Sequence, residues 1–234
     1  MIWFVTPSRT IEYLDALLDS MEASEPGSRQ YGVVVDNGLP GGLQEEDRPP
    51  LVVSYRKPFC FATAINLGVK AAPKSADLII LNDDTTIITP QWLTTAEYIL
   101  ANASPQYGLI SFAIAGGVGN PEQKARAVVQ GDPLVVPTSK TLCFVATLIR
   151  RAAWNEVGGL DERYTAYGFD DDDLCRSLRD AGWLTGVTQQ LVVTHGQGGF
   201  PHSSSYLRYH GQDGMHELFH KNKAIYEAKW GSTP

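Results

Sequence analysis

Apolar positions recur along the chain in two alternating periods, and those periods predict its elements. Residues 2–5 are an unbroken apolar run and predict a strand; Ile11, Leu14, Leu17, Leu18 and Met21 follow at helical spacing. Residues 31–35 (YGVVV) predict a second strand ending at Asp36-Asn37-Gly38, and the Gly- and Pro-rich stretch 39–50 predicts a loop. A short strand at 51–54 precedes a helix over 62–72, with Ala62, Ile65, Val69 and Ala72 on one face. Residues 77–81 (DLIIL) predict a buried strand that runs into Asn82-Asp83-Asp84-Thr85. A helix starts near Pro90, with Trp92, Leu93, Ala96, Ile99 and Leu100 turned inward. Strands alternating with helices predict an α/β chain with a mostly parallel central sheet flanked by helices. Ligands of such sheets bind beyond the carboxyl ends of the strands, where Asp36 and residues 82–84 lie.

The second half is less regular. Strands are predicted at 108–114, 142–149 and 191–194, the last delivering His195. Residues 115–139 are rich in Gly, Pro and polar residues and predict a mobile loop, and Gly158-Gly159-Leu160-Asp161 predicts a turn. Asp170-Asp171-Asp172-Asp173 precedes a helix carrying Leu174, Cys175, Leu178 and Ala181, with Gly182 as its stop, and the tail 206–230 is helical by pattern. No internal repeat or linker divides the chain. A single domain over 1–234 is expected.

Composition narrows the class. The 234 residues are 43% hydrophobic and 19% charged, which excludes a disordered chain and leaves enough apolar residues for a core. No apolar run approaches the ~20 residues of a membrane helix, and MIWFVTPSRT has no basic n-region, so neither a transmembrane segment nor a signal peptide is expected. The formal net charge of -7 opposes broad nucleic-acid binding. Cys60, Cys143 and Cys175 are widely spaced, odd in number and set among apolar residues, which reads as reduced thiols of a cytoplasmic protein.

Three constellations offer chemistry. Asn82-Asp83-Asp84 at a buried strand's end is costly unless a positive partner offsets it, and a hard divalent cation with oxygen ligands is one; a surface turn explains the same residues equally well. In the run from Asp170 to Asp173, the helix dipole accounts for one or two acids at roughly 0.3–1 kcal/mol each, but not for four. Like charges this close raise one another's pKa, as a general base requires. His195, at a strand's end before glycines, is a weaker candidate metal ligand. Against these stands His216-Glu217-Leu218-Phe219-His220, which matches the H-E-x-x-H signature of zinc peptidases. Leu218 and Phe219 also suit an ordinary amphipathic helix, and only Glu227 follows as an acid. The cluster Gly116-Gly117-Val118-Gly119 is no dinucleotide fingerprint and reads as a loop hinge.

Taken in order, the motifs resemble those of GT-A glycosyltransferases, specifically inverting family 2 and its rhamnosyltransferase-like branch. Thr6-Pro7-Ser8-Arg9 is similar to that family's opening segment, with Ser8 where Asn is common. Val34-Val35-Asp36-Asn37-Gly38, Ala64-Ile65-Asn66-Leu67-Gly68 and Leu81-Asn82-Asp83-Asp84-Thr85 resemble its V-V-D-N-[GS], A-R-N-x-G and DXD-type motifs. Gly158-Gly159-Leu160-Asp161-Glu162 with residues 169–175 (FDDDDLC) resembles G-G-F-D-E…F-E-D-x-D-L-C, and Ala228-Lys229-Trp230-Gly231 its closing K-W-G. The resemblance implies a metal-dependent transfer of a sugar from a nucleotide sugar, a UDP-sugar foremost, to an acceptor hydroxyl with inversion. It assigns Thr6, Pro7, Arg9, Asp36, Asn66, Asn82 and Asp83 to the nucleotide sugar. It assigns Asp84, His195 and Asn82 to Mn2+ or Mg2+, and Asp171, beside Asp170, to the general base. The acceptor would be a glycan, a protein or a modified nucleobase. The alternatives are a nucleotide-sugar hydrolase or nucleotidyltransferase on the same fold, or the zinc metallopeptidase of His216, Glu217 and His220. Loop 115–139 and the glycines after His195 are expected to form a lid.

Overall fold

In the computed structural model the described residues are 1–39, 50–55, 57–116, 119–166, 168–196 and 204–234; of 204–210, 212 and 215 only the backbone is described. Among them nine strands form one sheet: β1 (Ile2–Ser8), β2 (Gly32–Asp36), β3 (Leu51–Ser54), β4 (Asp77–Leu81), β5 (Thr85–Ile87), β6 (Tyr107–Ile114), β7 (Val136–Pro137), β8 (Ala146–Ile149) and β9 (Leu184–His195). The order is β3-β2-β1-β4-β8-β6-β9-β5, with β7 also on β9. The first four strands are parallel, β8 is antiparallel to both β4 and β6, and β9 returns parallel to β6. β1–β4, β6 and β9 therefore run the same way, and their carboxyl ends share one edge.

The pleat sends alternate side chains to opposite faces, which gives two cores. Val5, Val33, Val35, Leu78 and Ile80 pack against Ile65 of α2 (Phe61–Ala71), Trp154 of α4 (Arg151–Val157) and Leu174 and Leu178 of α5 (Asp170–Asp180). Phe4, Ile79 and Leu81 pack against Leu17 and Met21 of α1 (Ile11–Ser24) and Trp92 and Ile99 of α3 (Trp92–Asn102). α2 lies close on β1 because Gly68 has no side chain: a Cβ there would meet Val5 Cγ1 at 2.3 Å.

Most predicted elements are present near their expected positions, although β1 runs on to Ser8 and the strand predicted at 191–194 is the end of the longer β9. Residues 142–145 precede β8 as irregular backbone rather than forming part of a strand. The run of four aspartates is itself the first turn of α5. α6 (Ser204–Trp230) is interrupted at Gly211 (φ 65°, ψ 173°). The predicted loop at 39–50 lies mostly outside the described residues, as do Gly117, Val118, Gly198 and Gly199. Within the described part of the expected lid, Gln123 is anchored to the sheet and to residue 143. Gln123 is fully buried; its side chain donates to Ser111 Oγ (2.7 Å) and the Cys143 carbonyl (2.9 Å) and accepts from the Cys143 N–H (2.9 Å).

Candidate active site at the carboxyl edge of the sheet

The strand register levels the ends of β1, β2 and β3: Ser8 pairs with Asp36, and Asp36 with Ser54. Asp36 is buried, and its Oδ1 accepts from the N–H groups of Gly38 (2.8 Å) and Leu39 (2.7 Å), turning the chain sharply at the sheet edge. Thr6 and Pro7 are buried in β1; the Thr6 hydroxyl has no hydrogen-bond partner among the described residues. Arg9 follows, its guanidinium 5.8 Å from the centroid of the Phe59 ring.

Residues 82–84 leave the neighbouring β4 at the same edge. Ser8 Oγ donates to Asp83 Oδ2 at 2.7 Å, a contact that sequence reading gave no means of finding. Burial raises the Asp83 carboxyl to about 7, with Asp84 adding to the shift, while the Ser8 hydroxyl and the Arg9 N–H oppose it by stabilising the anion. Asp84 Oδ1 lies 3.3 Å from His195 Nε2, and Asn82 Nδ2 lies 3.5 Å from the same nitrogen. Antiparallel pairing of Thr85 with His195 brings the two segments together. The sequence had thus named three groups, Asn82, Asp84 and His195, that do converge. Among the described residues no group of three His, Cys, Asp or Glu side chains gathers for a metal. One carboxylate and one imidazole nonetheless suit a cation that takes its remaining ligands from a diphosphate.

The α5 aspartates lie close to residue 143 of the stretch 142–146. Asn82 N–H donates to the Val145 carbonyl (2.9 Å), so that stretch touches the 82–84 segment. Two residues earlier, the Cys143 thiol is pushed to about 12, first by burial and then by the Asp171 and Asp172 carboxylates beside it. The helix opens at Phe169 in a left-handed conformation (φ 69°), and Asp170 Oδ1 accepts from the Gly168 N–H at 2.9 Å. Helical spacing then divides the four acids: Asp170 and Asp173, three apart, are buried, whereas Asp171 and Asp172 keep partial exposure. Burial raises Asp170 to about 6. Asp171 stands well above the carboxylate range through burial, then through the charges of Asp170 and Asp172.

Asp173 is held differently. It accepts from Trp230 Nε1 (2.7 Å), Lys229 Nζ (2.8 Å) and Tyr164 Oη (3.1 Å), and Arg176 stacks over the Trp230 ring at 4.5 Å. The closing Lys229-Trp230 pair thereby docks the end of α6 onto α5. Asn66 faces Leu160 and Glu162. His216, Glu217 and His220 of the peptidase signature are exposed on α6, and among the described residues no third His, Cys, Asp or Glu side chain gathers with them.

No model of a protein family matches the chain. It is 46% identical over 48 residues to the N-acetylglucosaminyl-diphospho-decaprenol L-rhamnosyltransferase of Mycobacterium tuberculosis, covering 20% of this chain and 15% of that protein. An uncharacterised protein of Sinorhizobium fredii, y4gI, is 26% identical over 226 residues, 83% of this chain and 24% of its own length. The chain thus spans a quarter or less of the curated relatives it matches. Among solved structures, TarS 1-349 of S. aureus in complex with UDP-GlcNAc superposes with a TM-score of 0.62 at 18% identity, over 87% of this chain and 61% of that one. The mannosyltransferase PcManGT of Pyrobaculum calidifontis, in complex with GDP-Man and Mn2+, superposes with a TM-score of 0.61 at 17% identity, over 100% of this chain and 76% of that one. The fold is the GT-A fold of glycosyltransferases.

Proposed function

We propose that the chain is a glycosyltransferase that moves a sugar from a nucleotide-sugar donor, a UDP-sugar foremost, to an acceptor hydroxyl with inversion. The observation that carries this reading is the approach of Asp84 to His195 at the carboxyl edge of the sheet, beside residues 142–146, which touch the 82–84 segment at Val145 and feel the Asp171 charge at Cys143. The relatives with rhamnosyl- and mannosyltransferase names, and the structures containing UDP-GlcNAc or GDP-Man, support it.

Residues 1–105 hold the nucleotide in this reading, with Thr6, Pro7, Arg9 and Asp36 toward base and ribose, and Asn82 and Asp83 toward the sugar and diphosphate. Residues 106–234 supply the acceptor side. Asp84 and His195, with Asn82 beside them, would hold Mn2+ or Mg2+, which offsets the charge that grows on the departing diphosphate. Asp171 accepts the proton of the acceptor hydroxyl as that oxygen bonds to the anomeric carbon and the carbon–phosphate oxygen bond breaks. A raised pKa suits Asp171 to that task, because it holds the proton more firmly than an ordinary carboxylate. Acceptors in this reading are a glycan, a protein or a modified nucleobase. Among the described residues no helix is long and apolar enough to cross a membrane, and the three cysteines are free, in keeping with a cytoplasmic site of action.

The test is release of nucleoside diphosphate from UDP-, dTDP- and GDP-sugars with an acceptor panel. Release that requires both Mn2+ or Mg2+ and an acceptor is expected. Acceptor-independent release at the full rate would instead favour the hydrolase alternative.

A further inference from the structure

The described residues between Gly159 and Phe169 form neither helix nor strand, yet they deliver Asp170 and Asp171. Four of them hold left-handed backbone: Gly159 (φ 81°), Ala166 (φ 59°), Gly168 (φ 103°) and Phe169 (φ 69°). Ala166 and Phe169 lack glycine's freedom, and such conformations persist only where the surroundings over-determine them. Two amide side chains do so. Asn66 of α2 donates through Nδ2 to the Leu160 carbonyl (2.9 Å) and Glu162 Oε1 (2.9 Å), and its Oδ1 accepts from the Leu160 N–H (3.1 Å). Asn222 of α6 is fully buried; its Oδ1 accepts from the Thr165 N–H (3.0 Å), and its Nδ2 donates to the carbonyls of Thr165 (2.9 Å) and Gly168 (3.0 Å). Each amide satisfies both backbone groups of one residue, as a neighbouring strand would. The fit at the first clamp is close: a Cβ on Gly159 would lie 2.9 Å from Asn66 Oδ1.

The geometry points to Asn66 and Asn222 as positioning residues, two clamps that fix the strained segment and with it the carboxylates of Asp170 and Asp171. This role deepens, and rests on, the glycosyltransferase reading above. It commits the polar atoms of Asn66 to the backbone of Leu160 and the carboxylate of Glu162, away from the donor contact that the motif resemblance implied. It also makes α6 part of the catalytic framework, since Asn222 and the Lys229-Trp230 pair act on the same stretch from one helix.

Isosteric Asn222→Asp tests the second clamp, because it turns an oxygen toward the Thr165 and Gly168 carbonyls. Displacement of Asp171 is expected to lower kcat on the order of 10- to 100-fold while nucleotide affinity is retained. Asn222→Ser, which keeps one donor, recovers part of the loss. Asn66→Asp shows the same split between kcat and affinity. Amide hydrogen exchange of the unaltered protein supplies a readout that needs neither a folded variant nor turnover: slow exchange at Leu160 and Thr165 is expected. Wild-type kcat in folded Asn222→Asp, or free exchange at those two amides, overturns the clamps. Loss of nucleotide affinity with kcat retained in Asn66→Asp makes Asn66 a donor ligand instead. Absence of transfer by the unaltered chain with every donor would refute the glycosyltransferase reading alone, and the exchange data would still decide the clamps.

Discussion

Asp84 Oδ1 lies 3.3 Å from His195 Nε2, and the β5–β9 pairing that sets Thr85 opposite His195 fixes that approach. Both groups are almost wholly enclosed, so neither meets the other by chance of a mobile side chain. If the two share a divalent ion, His195→Ala removes one ligand and leaves the other. Titration of activity with Mn2+ should then show a half-saturating concentration raised by at least about tenfold, with the maximal rate recovered in part.

Asp171→Asn removes the proton acceptor and keeps the shape of the side chain. Transfer should fall on the order of 10²- to 10⁴-fold, with nucleotide binding preserved, as measured by single-turnover kinetics alongside a binding titration.

Burial is the largest cause of the raised Asp170 and Asp171 carboxyls, and the sign of their pH dependence follows from it. Asp170 stands at about 6 in the folded chain against an ordinary 3.8, so the folded state holds the proton more tightly than the unfolded one. The stability linked to that proton is fully present below the unfolded value and is lost as pH rises through about 6. Asp170→Asn should therefore raise Tm at neutral pH and leave it unchanged near pH 4. Removing the Asp170 charge also lowers Asp171, so the ascending limb of the kcat profile should move to lower pH.

Asp173 gathers three donors in a buried site; removing it takes the acceptor from Trp230 Nε1 and Tyr164 Oη and leaves Lys229 only its longer contact with Asp161 (3.3 Å). Asp173→Ala should destabilise the chain by about 3–5 kcal/mol in denaturant unfolding. Lys229→Met, which leaves Trp230 Nε1 and Tyr164 Oη on the carboxylate, should cost less.

Much of the first half was legible because its strands are continuous apolar runs and its helices keep a clear period. β4 matches its predicted bounds, and α1 and α2 begin within a residue of the expected positions. β5 was missed because three residues carry no period, and α4 because its seven residues follow directly on a strand. The first half of β9 was missed because Gln189 and Gln190 interrupt the alternation where its register with β6 shifts. At the site, Asn82, Asp84 and His195 were named and do meet, since residue type and strand-end position both mark them. The four aspartates looked alike in sequence, and only the turn of α5 separates the pair it buries from Asp171 and Asp172. Ser8, Gln123 and Asn222 left no trace, because a hydrogen bond from a side chain to another segment's backbone has no fixed spacing.

Calorimetric titration with UDP in Mn2+, repeated with excess chelator and with Asp84→Ala and Asp171→Asn, is the most direct test of the converging site. UDP should bind in Mn2+, bind at least about tenfold more weakly with chelator or in Asp84→Ala, and bind unchanged in Asp171→Asn. Equal affinity with and without the metal, or an Asp84→Ala variant that binds like the unaltered chain, would contradict it.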